Sequence, residues 1–282
     1  AGYRMAASPT LYAGQTLRAH LSAGEMIAGE NKPLKEMSLE VRLLVKAYGE
    51  NDALFIARGP KVLLAPGTSG TLEWDVDVPQ GCPIAWVGIE LASPLRAEGT
   101  VYLDWLTWSG APLIKLGPPA HNGTRWLDAW VQACSRVTSK RSETYRLIQD
   151  EGTGLLIQGT REWRDYAVSA SFTPHLARSF GLAARVQGLR RYYALKLVAG
   201  HRAQLVRELH GTHVLAEAAY DWQLYETYKL ELAVEGHRIT GRINGEVLFE
   251  VNDESPLTGG GIALLIEEGR LGCEDVSVKP LG

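Results

Sequence analysis

Charged and aromatic side chains alternate with apolar ones in two neighbouring segments of the second half of the chain. If Ala184 and Val186 face a core, Arg185 faces away from it, because successive side chains of a β-strand point to opposite faces. Tyr192 and Lys196 stand at alternate positions of the next segment and face away in the same manner. The sequence therefore predicts an exposed stripe of groups that can stack on a flat ligand and form charge-assisted hydrogen bonds.

The same stripe can extend over the strands or loops that follow, where the candidate residues are Arg207, Glu208, Asp221 and Trp222. Each candidate also has a purely structural explanation. Arg185 and Glu208 can form an ordinary cross-strand ion pair, and Trp222 can close one end of a β-sandwich as a core residue. The sequence leaves these alternatives open, because it does not show which strands are neighbours.

A pair of carboxylates could instead perform general acid and base chemistry, and the second half offers seven candidates: Asp150, Glu151, Asp165, Glu208, Asp221, Glu267 and Glu268. Most of them stand next to turns, where acidic residues are common for other reasons. The chain contains no motif of a serine hydrolase, a zinc protease, a phosphate-binding loop or a dinucleotide-binding fold. We therefore expect no catalytic residues, and name Glu208, Asp221 or Glu267 as the acid or base if the chain is a hydrolase.

The segments that must position these residues are strands. Two alternating runs meet at Glu235, Gly236 and His237, and the second turns through Asn244 and Gly245, a dipeptide that favours a tight hairpin. About a dozen strands are predicted in the second half, at 145–149, 154–158, 166–172, 180–187, 192–198, 202–209, 213–219, 228–235, 238–243, 247–252, 261–267 and 270–279. This number is typical of a concanavalin-like sandwich.

The first half shows a similar pattern of short strands broken by proline and glycine, with predicted strands at 16–21, 37–47, 70–78, 84–91 and 100–108. Their alternation favours an eight-stranded jelly roll. Trp105 and Trp108 are three positions apart and should face opposite sides of one strand, so that at most one is a core residue. A proline-rich and glycine-rich joint at 111–123 divides the chain into predicted domains 1–112 and 113–282. The predicted fold class is all-β, with two β-sandwich domains.

Composition excludes several classes of partner. The chain has 282 residues, of which 45% are hydrophobic, and a formal net charge of −3, which favours neither nucleic acid nor an anionic membrane surface. No apolar run reaches the roughly 20 residues needed to span a bilayer. Cys82, Cys134 and Cys273 are odd in number and widely spaced, so we expect buried thiols rather than disulfides or a zinc site.

Several short motifs carry a resemblance to known families. The second half, over residues 145–280, resembles the concanavalin-like domain of the 3-keto-disaccharide hydrolase and levan-binding-module group at 181–185 (GLAAR), 191–195 (RYYAL), 228–232 (YKLEL), 242–245 (RING) and 260–264 (GGIAL). In the first half, residues 101–108 (VYLDWLTW) are similar to the closing strand of galactose-binding-like jelly rolls. The two domains in this order also resemble the C-terminal tail of some bacterial ADP-ribosylglycohydrolase-like proteins, which implies a catalytic domain upstream.

The resemblance implies a carbohydrate ligand, because domains of these families hold sugars. A glycan presents hydroxyl groups and apolar C–H faces, which the predicted stripe of aromatic and charged residues could bind. Jelly rolls of the resembled type often hold a structural calcium ion, for which Asp104, Glu90 and Glu98 are the candidate ligands, although no acidic calcium-binding loop is present.

We therefore expect a non-catalytic carbohydrate-binding accessory module of a larger glycan-active or ADP-ribosylglycohydrolase-like protein, with a polysaccharide or oligosaccharide as partner. Two alternatives remain open: a hydrolase of a glycoside or a 3-keto sugar, and a structural module that mediates protein contacts. The expected compartment is extracellular if the chain targets a glycan, and cytoplasmic if it is the tail of an ADP-ribosylglycohydrolase-like protein.

Overall fold

The chain folds almost entirely into β-strands in a computed structural model, which describes residues 2–4, 11–28, 32–33, 38–93, 96–118, 122–140 and 143–281. The first half forms β1 (Gly2–Arg4), β2 (Thr16–Ala28), β3 (Lys32–Pro33), β4 (Leu39–Tyr48), β5 (Leu54–Arg58), β6 (Val62–Leu64), β7 (Ser69–Asp75), β8 (Ile84–Ala92) and β9 (Ala97–Ser109). The second half forms β10 (Ile114–Lys115), the helical turn α1 (Arg125–Asp128), β11 (Val131–Ala133), β12 (Arg136–Lys140), β13 (Glu143–Gln158), β14 (Tyr166–Gly188), β15 (Arg191–Val198), β16 (Arg202–Leu209), β17 (Thr212–Ala219), β18 (Tyr228–Glu235), β19 (Arg238–Ile243), β20 (Glu246–Asn252) and β21 (Gly261–Pro280). The predicted all-β class with β-sandwich domains is confirmed.

The strands of the first half form two antiparallel sheets within the described residues. One has the order β1-β8-β4-β5, with β6 also paired to β4; the other has the order β3-β2-β7, with β9 also paired to β2. Alternate residues of β4, such as Val41 and Val45, are buried, while the residues between them are partly exposed. They pack with Leu17 and Leu21 of β2 in one apolar cluster, so the core of the first half lies between its two sheets.

All five strands predicted in the first half are present, although Met37 at the start of one lies outside the described residues. Four further strands, β1, β3, β5 and β6, were not predicted, because two to five residues offer too little alternation to reveal a strand. The described part of the first half therefore holds nine strands where eight were expected.

In the second half, the twelve strands β10 to β21 pair into one continuous antiparallel sheet within the described residues. Its centre consists of three long strands, β13, β21 and β14, of 16, 20 and 23 residues. Each had been predicted as two separate strands, and this division is wrong. The two halves of a long strand have different neighbours, since residues 166–172 of β14 pair with β18 whereas residues 179–188 pair with β15.

Irregular residues near the middle of these strands bend the sheet. The pairing of β13 with β21 shifts between Gln149 and Thr153, where Gly152 has φ +65°. On β21, Glu268 has φ +46° and Gly269 has φ +138°, and a Cβ on Gly269 would lie only 1.8 Å from the carbonyl oxygen of Leu176. Only glycine fits such a close approach of two backbones. The bends divide the sheet into the β15 layer (residues 153–158, 179–188 and 261–267 with β15 to β17) and the β18 layer (residues 143–149, 166–173 and 270–280 with β18 to β20).

The main core of the second half lies between these two layers. Leu182 and Leu195 of the β15 layer pack in one buried cluster with Val168, Leu230 and Ile239 of the β18 layer, and all five are fully buried. The predicted hairpin between β19 and β20 is confirmed, with positive φ angles of 52° at Asn244 and 89° at Gly245. The β18 layer thus has the meander predicted from the alternating residues.

The two halves touch at a joint. Tyr12 packs edge-to-face on Trp163, with ring centroids 4.9 Å apart, and belongs to the core cluster of the second half. The carboxylate of Asp52 accepts hydrogen bonds from the backbone N–H groups of Thr124 and Arg125, at 2.9 and 3.0 Å. The division into domains 1–112 and 113–282 stays a prediction, and residues 119–121 of the predicted joint lie outside the described residues.

No helix among the described residues is long and apolar enough to cross a membrane. The three cysteines are free thiols, of which Cys82 and Cys273 are buried and Cys134 is partly exposed. Burial raises the pKa of the Cys134 thiol to about 11, so this side chain is a poor nucleophile at neutral pH.

Candidate functional site

The outer face of the β15 layer, opposite the main core, carries a row of small side chains. Ala263, Ala183 and Ala194 are direct neighbours on β21, β14 and β15, and Val206 of β16 continues the row. Together with Leu155, Val186, Tyr192 and Leu265 they form a buried cluster separate from the main core. The β15 layer is therefore apolar on both faces, although its outer face has no second sheet over it among the described residues.

Polar side chains border this row on both sides. Tyr192 pairs with Glu208 across β15 and β16 on one side, and Lys196 pairs with Gln204 on the other. Because Tyr192, Ala194 and Lys196 are alternate residues of β15, all three point to the outer face. Three of the seven predicted site residues, namely Tyr192, Lys196 and Glu208, are thus brought together on one face. The prediction that Tyr192 is exposed is wrong, because its side chain is only 5% exposed and packs in the cluster of the outer face.

The electrostatics of this surface centre on the Tyr192 hydroxyl. Burial and the negative charges of Glu208 and Glu267 raise the pKa of Tyr192 to about 12, so that its hydroxyl stays protonated and can donate a hydrogen bond. Glu208 accepts a hydrogen bond of 2.6 Å from the Thr212 hydroxyl, and Glu267 lies 3.6 Å from Arg178. The charges of two carboxylates, one on β16 and one on β21, therefore both raise the pKa of this tyrosine.

Lys196 has no ion pair or hydrogen bond within the described part of the chain, although its side chain is half-buried. Its nearest cross-strand neighbours on the same face are Gly181, which has no side chain, and the neutral Gln204. The Tyr192 hydroxyl likewise has no hydrogen-bond partner among the described residues. A donor and a cation on one face are therefore free to bind a ligand oxygen.

The prediction that Arg185 shares this exposed face is wrong, because strict alternation fails at this residue. Arg185 has φ +48° within a β-bulge, and its side chain is only 2% exposed. Its guanidinium donates to the carbonyl oxygens of Arg164, Gly236 and Leu257 at 2.7 to 3.1 Å. Arg185 also forms an ion pair of 3.1 Å with Asp165 and none with Glu208.

Arg207 points to the opposite side of β16 from Glu208, as adjacent strand residues must. Its guanidinium forms a buried ion pair with Asp253 at 2.8 Å, and the same carboxylate accepts a hydrogen bond of 2.6 Å from the Tyr193 hydroxyl. Burial opposes the ionisation of Asp253, but the hydrogen bonds from Tyr193, the Ser255 backbone and Arg207 together hold its pKa below the ordinary value. Arg207 is therefore part of an internal network.

The Asp221 and Trp222 pair lies at one end of the sandwich. The Trp222 ring packs edge-to-face on Phe180 at 5.2 Å, and its indole N–H donates to the carbonyl oxygen of Val198 at 2.9 Å. Of the two explanations given for Trp222, the structure favours core packing. Asp221 is exposed and lies 2.7 Å from the His201 ring nitrogen.

Sequence reasoning missed several polar residues on the outer face of the β15 layer. Gln204 and Arg202 lie on β16, and both donate hydrogen bonds to Glu217 of β17. Glu267 is a third, which the sequence analysis names only as a possible catalytic acid or base. Their alternation with Ala203, Leu205 and Ile266 could have placed them on the outer face, but the strand order that makes them neighbours is not visible in the sequence.

The three candidate calcium ligands do not form one metal site. No group of three or more metal-ligating side chains occurs within the described ranges. Glu90 belongs to β8 and pairs with Arg58 at 2.9 Å, whereas Asp104 and Glu98 belong to β9 in the other sheet. These residues do not fit one calcium site, and calcium binding stays a prediction without a ligand set.

Comparison with known proteins identifies no family. No protein-family model matches the chain, and no curated protein matches it. Among solved structures, a carbohydrate-binding module, CBM66 from Bacillus subtilis, is 16% identical and covers 53% of this chain and 94% of its own, with a TM-score of 0.49. A Bacillus subtilis protein of unknown function with a galectin-like fold is 18% identical, covering 56% and 92%, with a TM-score of 0.45. The galectin LEC-6 from Caenorhabditis elegans is 14% identical, covering 56% and 99%, with a TM-score of 0.34. At these identities and TM-scores, the similarities establish neither a family nor a ligand for this chain.

Proposed function

We propose that this chain is a non-catalytic carbohydrate-binding module whose ligand lies on the outer face of the β15 layer. The observation that carries the proposal is the convergence on this face of the Tyr192 hydroxyl, the Lys196 amine and the carboxylates of Glu208 and Glu267 beside a row of alanines. Sugar hydroxyls both donate and accept hydrogen bonds, and this set supplies charged partners for both. Because the side chains of the row are small, the longer polar side chains on either side extend beyond them.

The proposed mechanism is targeting. A shallow face gives weak binding, and tethering to a catalytic domain would raise the effective concentration of enzyme at the glycan. We extend the proposal to a larger glycan-active or ADP-ribosylglycohydrolase-like protein as the context of the module. The names of the similar solved structures agree with a sugar ligand but do not carry the proposal.

A glycoside hydrolase is the second candidate, because Glu208 and Glu267 stand on the same face, each two residues from an outer-face residue, Val206 or Leu265. Catalysis of this kind needs one carboxyl group that is able to act as an acid. Glu208 and Glu267 already have partners within the chain, Thr212 and Arg178, whereas the Tyr192 hydroxyl and the Lys196 amine have none among the described residues and can bind a ligand. Binding without turnover is therefore the better supported function.

The test is a glycan-array screen of the full chain followed by calorimetry, with and without calcium, on Lys196→Ala and Tyr192→Phe. Both variants should keep the melting temperature, because neither side chain has a polar partner to lose, and both should bind the selected glycan at least about tenfold more weakly. Lys229→Ala on the exposed side of β18 is the matched control and should bind normally.

Other outcomes separate the alternatives. Turnover of a bound glycan that is abolished by Glu208→Gln or Glu267→Gln would favour the hydrolase. Concentration-dependent self-association without binding to any glycan would favour a protein-interaction module, and would contradict the proposal.

A further inference from the structure

A second aromatic surface lies on the first half of the chain, on the outer side of the sheet formed by β2, β7 and β9. Trp105 of β9 is a cross-strand partner of His20 on β2, and Tyr102 is a partner of Ser22. His20 and Ser22 are alternate residues of β2 and face the same side, away from the core residues Leu21 and Ala19. Trp105 and Tyr102 therefore share that side, although they are three positions apart.

A β-bulge produces this arrangement. The pairing of β2 with β9 shifts between His20 and Leu21, so that Asp104 is an extra residue between Leu103 and Trp105. An extra residue resets the alternation of a strand and re-aims the side chains on one side of it. Without the bulge, Tyr102 and Trp105 would face opposite sides. Beyond the bulge the ordinary rule holds, and Trp108 packs against the core while Trp105 is 43% exposed, as predicted for this pair.

The Trp105 ring lies against a histidine ring that polar contacts hold in place. Its plane stacks on the His20 ring, with centroids 6.0 Å apart and an angle of 18° between the planes. His20 lies 3.0 Å from the Thr71 hydroxyl through Nδ1 and 3.6 Å from the Asp104 carboxylate through Nε2. Asp104 in turn accepts a hydrogen bond of 2.7 Å from the Ser22 hydroxyl. A ring fixed in this way loses little side-chain entropy when a ligand stacks on it.

These features fit a neutral glycan chain better than a protein. A flat indole ring that stacks on an imidazole and has a carboxylate and a hydroxyl group nearby matches a sugar ring, which has an apolar C–H face and hydroxyl groups around its edge. Tyr102, at most about 10 Å further along the same strand, is 58% exposed and offers a second ring to a neighbouring sugar unit. A protein partner would favour an apolar centre, whereas the centre of this surface is polar apart from the two rings.

We propose that the outer face around Trp105, His20, Asp104 and Tyr102 is a second glycan-binding site, for a neutral oligosaccharide chain that stacks on Trp105. It is built on other strands than the site proposed on the β15 layer and does not depend on it. Two sites on one chain would bind a polysaccharide more tightly than either alone, provided that one ligand molecule reaches both.

The test uses fluorine NMR on the full chain labelled with 5-fluorotryptophan, in which the Trp105 signal is assigned by its loss in Trp105→Phe. Cellohexaose, xylohexaose, mannohexaose and levan are the probes. We expect at least one of them to shift the Trp105 signal, both in the native chain and in Lys196→Ala. Trp105→Ala should weaken binding of that glycan at this site at least about tenfold. Trp86→Ala is the matched control, because Trp86 lies on the other sheet. The Lys46 amine lies over the Trp86 ring, 4.7 Å from the centroid of that ring.

The possible results separate the two sites. A Trp105 signal that no probe moves, or binding that is unchanged in Trp105→Ala, would overturn this inference even if Lys196→Ala abolished binding at the β15 layer. A Trp105 shift that persists in Lys196→Ala would support it even if the β15 layer proved not to bind any sugar.

Discussion

The two halves of the chain belong to the same fold class but place their charges differently. In the first half, the described ion pairs, such as Arg18 with Glu73 and Arg58 with Glu90, join side chains that are 27 to 57% exposed. In the second half, Arg185 is 2% exposed and Asp253 is 7% exposed, and each sits at the centre of a hydrogen-bonded network. Among the described residues, the first half is thus held by its apolar core with ion pairs at the surface, whereas the second half also depends on buried charges.

The difference follows from the way each sandwich is closed. The described strands of the first half form two separate sheets. The second half folds one sheet over on itself, and the bulge at Arg185 turns this side chain inward, where it reaches the carbonyl oxygens of Gly236 and Leu257. A buried carbonyl without a donor destabilises the fold, and the five N–H groups of an arginine can serve several at once. The buried charge is therefore linked to the bend.

The largest effect is expected from Arg185→Met. This substitution keeps much of the side-chain volume and removes every hydrogen-bond donor of the guanidinium. We expect the free energy of unfolding to fall by about 3–5 kcal/mol, because three carbonyl oxygens lose their donor and each acceptor left unsatisfied costs about 1–3 kcal/mol. Denaturant unfolding followed by circular dichroism measures it. The control is Arg202→Met, whose ion pair with Glu217 is half-exposed and whose loss should cost less than about 1 kcal/mol. Equal effects of the two variants would show that the buried network is not what distinguishes the second half.

A smaller effect is expected from Tyr193→Phe. The Tyr193 hydroxyl donates to Asp253 at 2.6 Å and accepts from the Leu257 backbone N–H at 3.0 Å, and both partners are buried. Its removal should destabilise the chain by about 1–3 kcal/mol. Tyr192→Phe on the neighbouring position is the matched control, since its hydroxyl has no partner among the described residues, and it should stay within about 0.5 kcal/mol of the native chain. The role of the hydrogen-bonded network around Asp253 would be weakened if both tyrosine variants behaved alike.

The smallest expected effect is a pH dependence that differs between the halves. Burial opposes the ionisation of Glu143, but Arg146 and His175 outweigh it and hold its pKa below the ordinary value, as the Tyr193 and Arg207 contacts do for Asp253. A carboxyl group whose pKa is lower in the folded state stabilises the fold above its unfolded pKa, about 4, and this stabilisation is lost as the pH falls through the folded value.

Hydrogen exchange measured by mass spectrometry from about pH 7 to about pH 3 checks this dependence. Protection of β14 should fall before that of β4, after correction for the intrinsic exchange rate. Asp253→Asn should reduce the difference, because Asp253 and Glu143 are the two buried groups among the described carboxyls with a lowered pKa, whereas those of the first half, such as Glu40 and Glu90, are at the surface. Equal loss of protection in the two strands would contradict a special role of the buried carboxyls.

The sequence predicted side-chain orientation correctly where the adjacent residues along the chain determine it. Alternation correctly placed Tyr192 and Lys196 together, separated Trp105 from Trp108, and located the hairpin at Asn244 and Gly245. It failed at Arg185, because a bulge shifts the alternation by one residue and no local pattern announces it. It also divided β13, β14 and β21 into two strands each, since a bend inside a strand and a turn between strands use the same residue types, as at Gly152, Pro174 and Gly269.

The sequence by itself determined the all-β class, the positions of most strands and which residues of each strand could be buried, because apolar residues at every second position have only one favourable way to face a core. Only the tertiary structure decided that Glu208 and Glu267 act on the same tyrosine, that Arg185 and Arg207 belong to the interior, and that Tyr102 joins Trp105 on one surface. These relations depend on strand order and on the bulges that shift the register. Both are set by pairing between segments far apart in the chain.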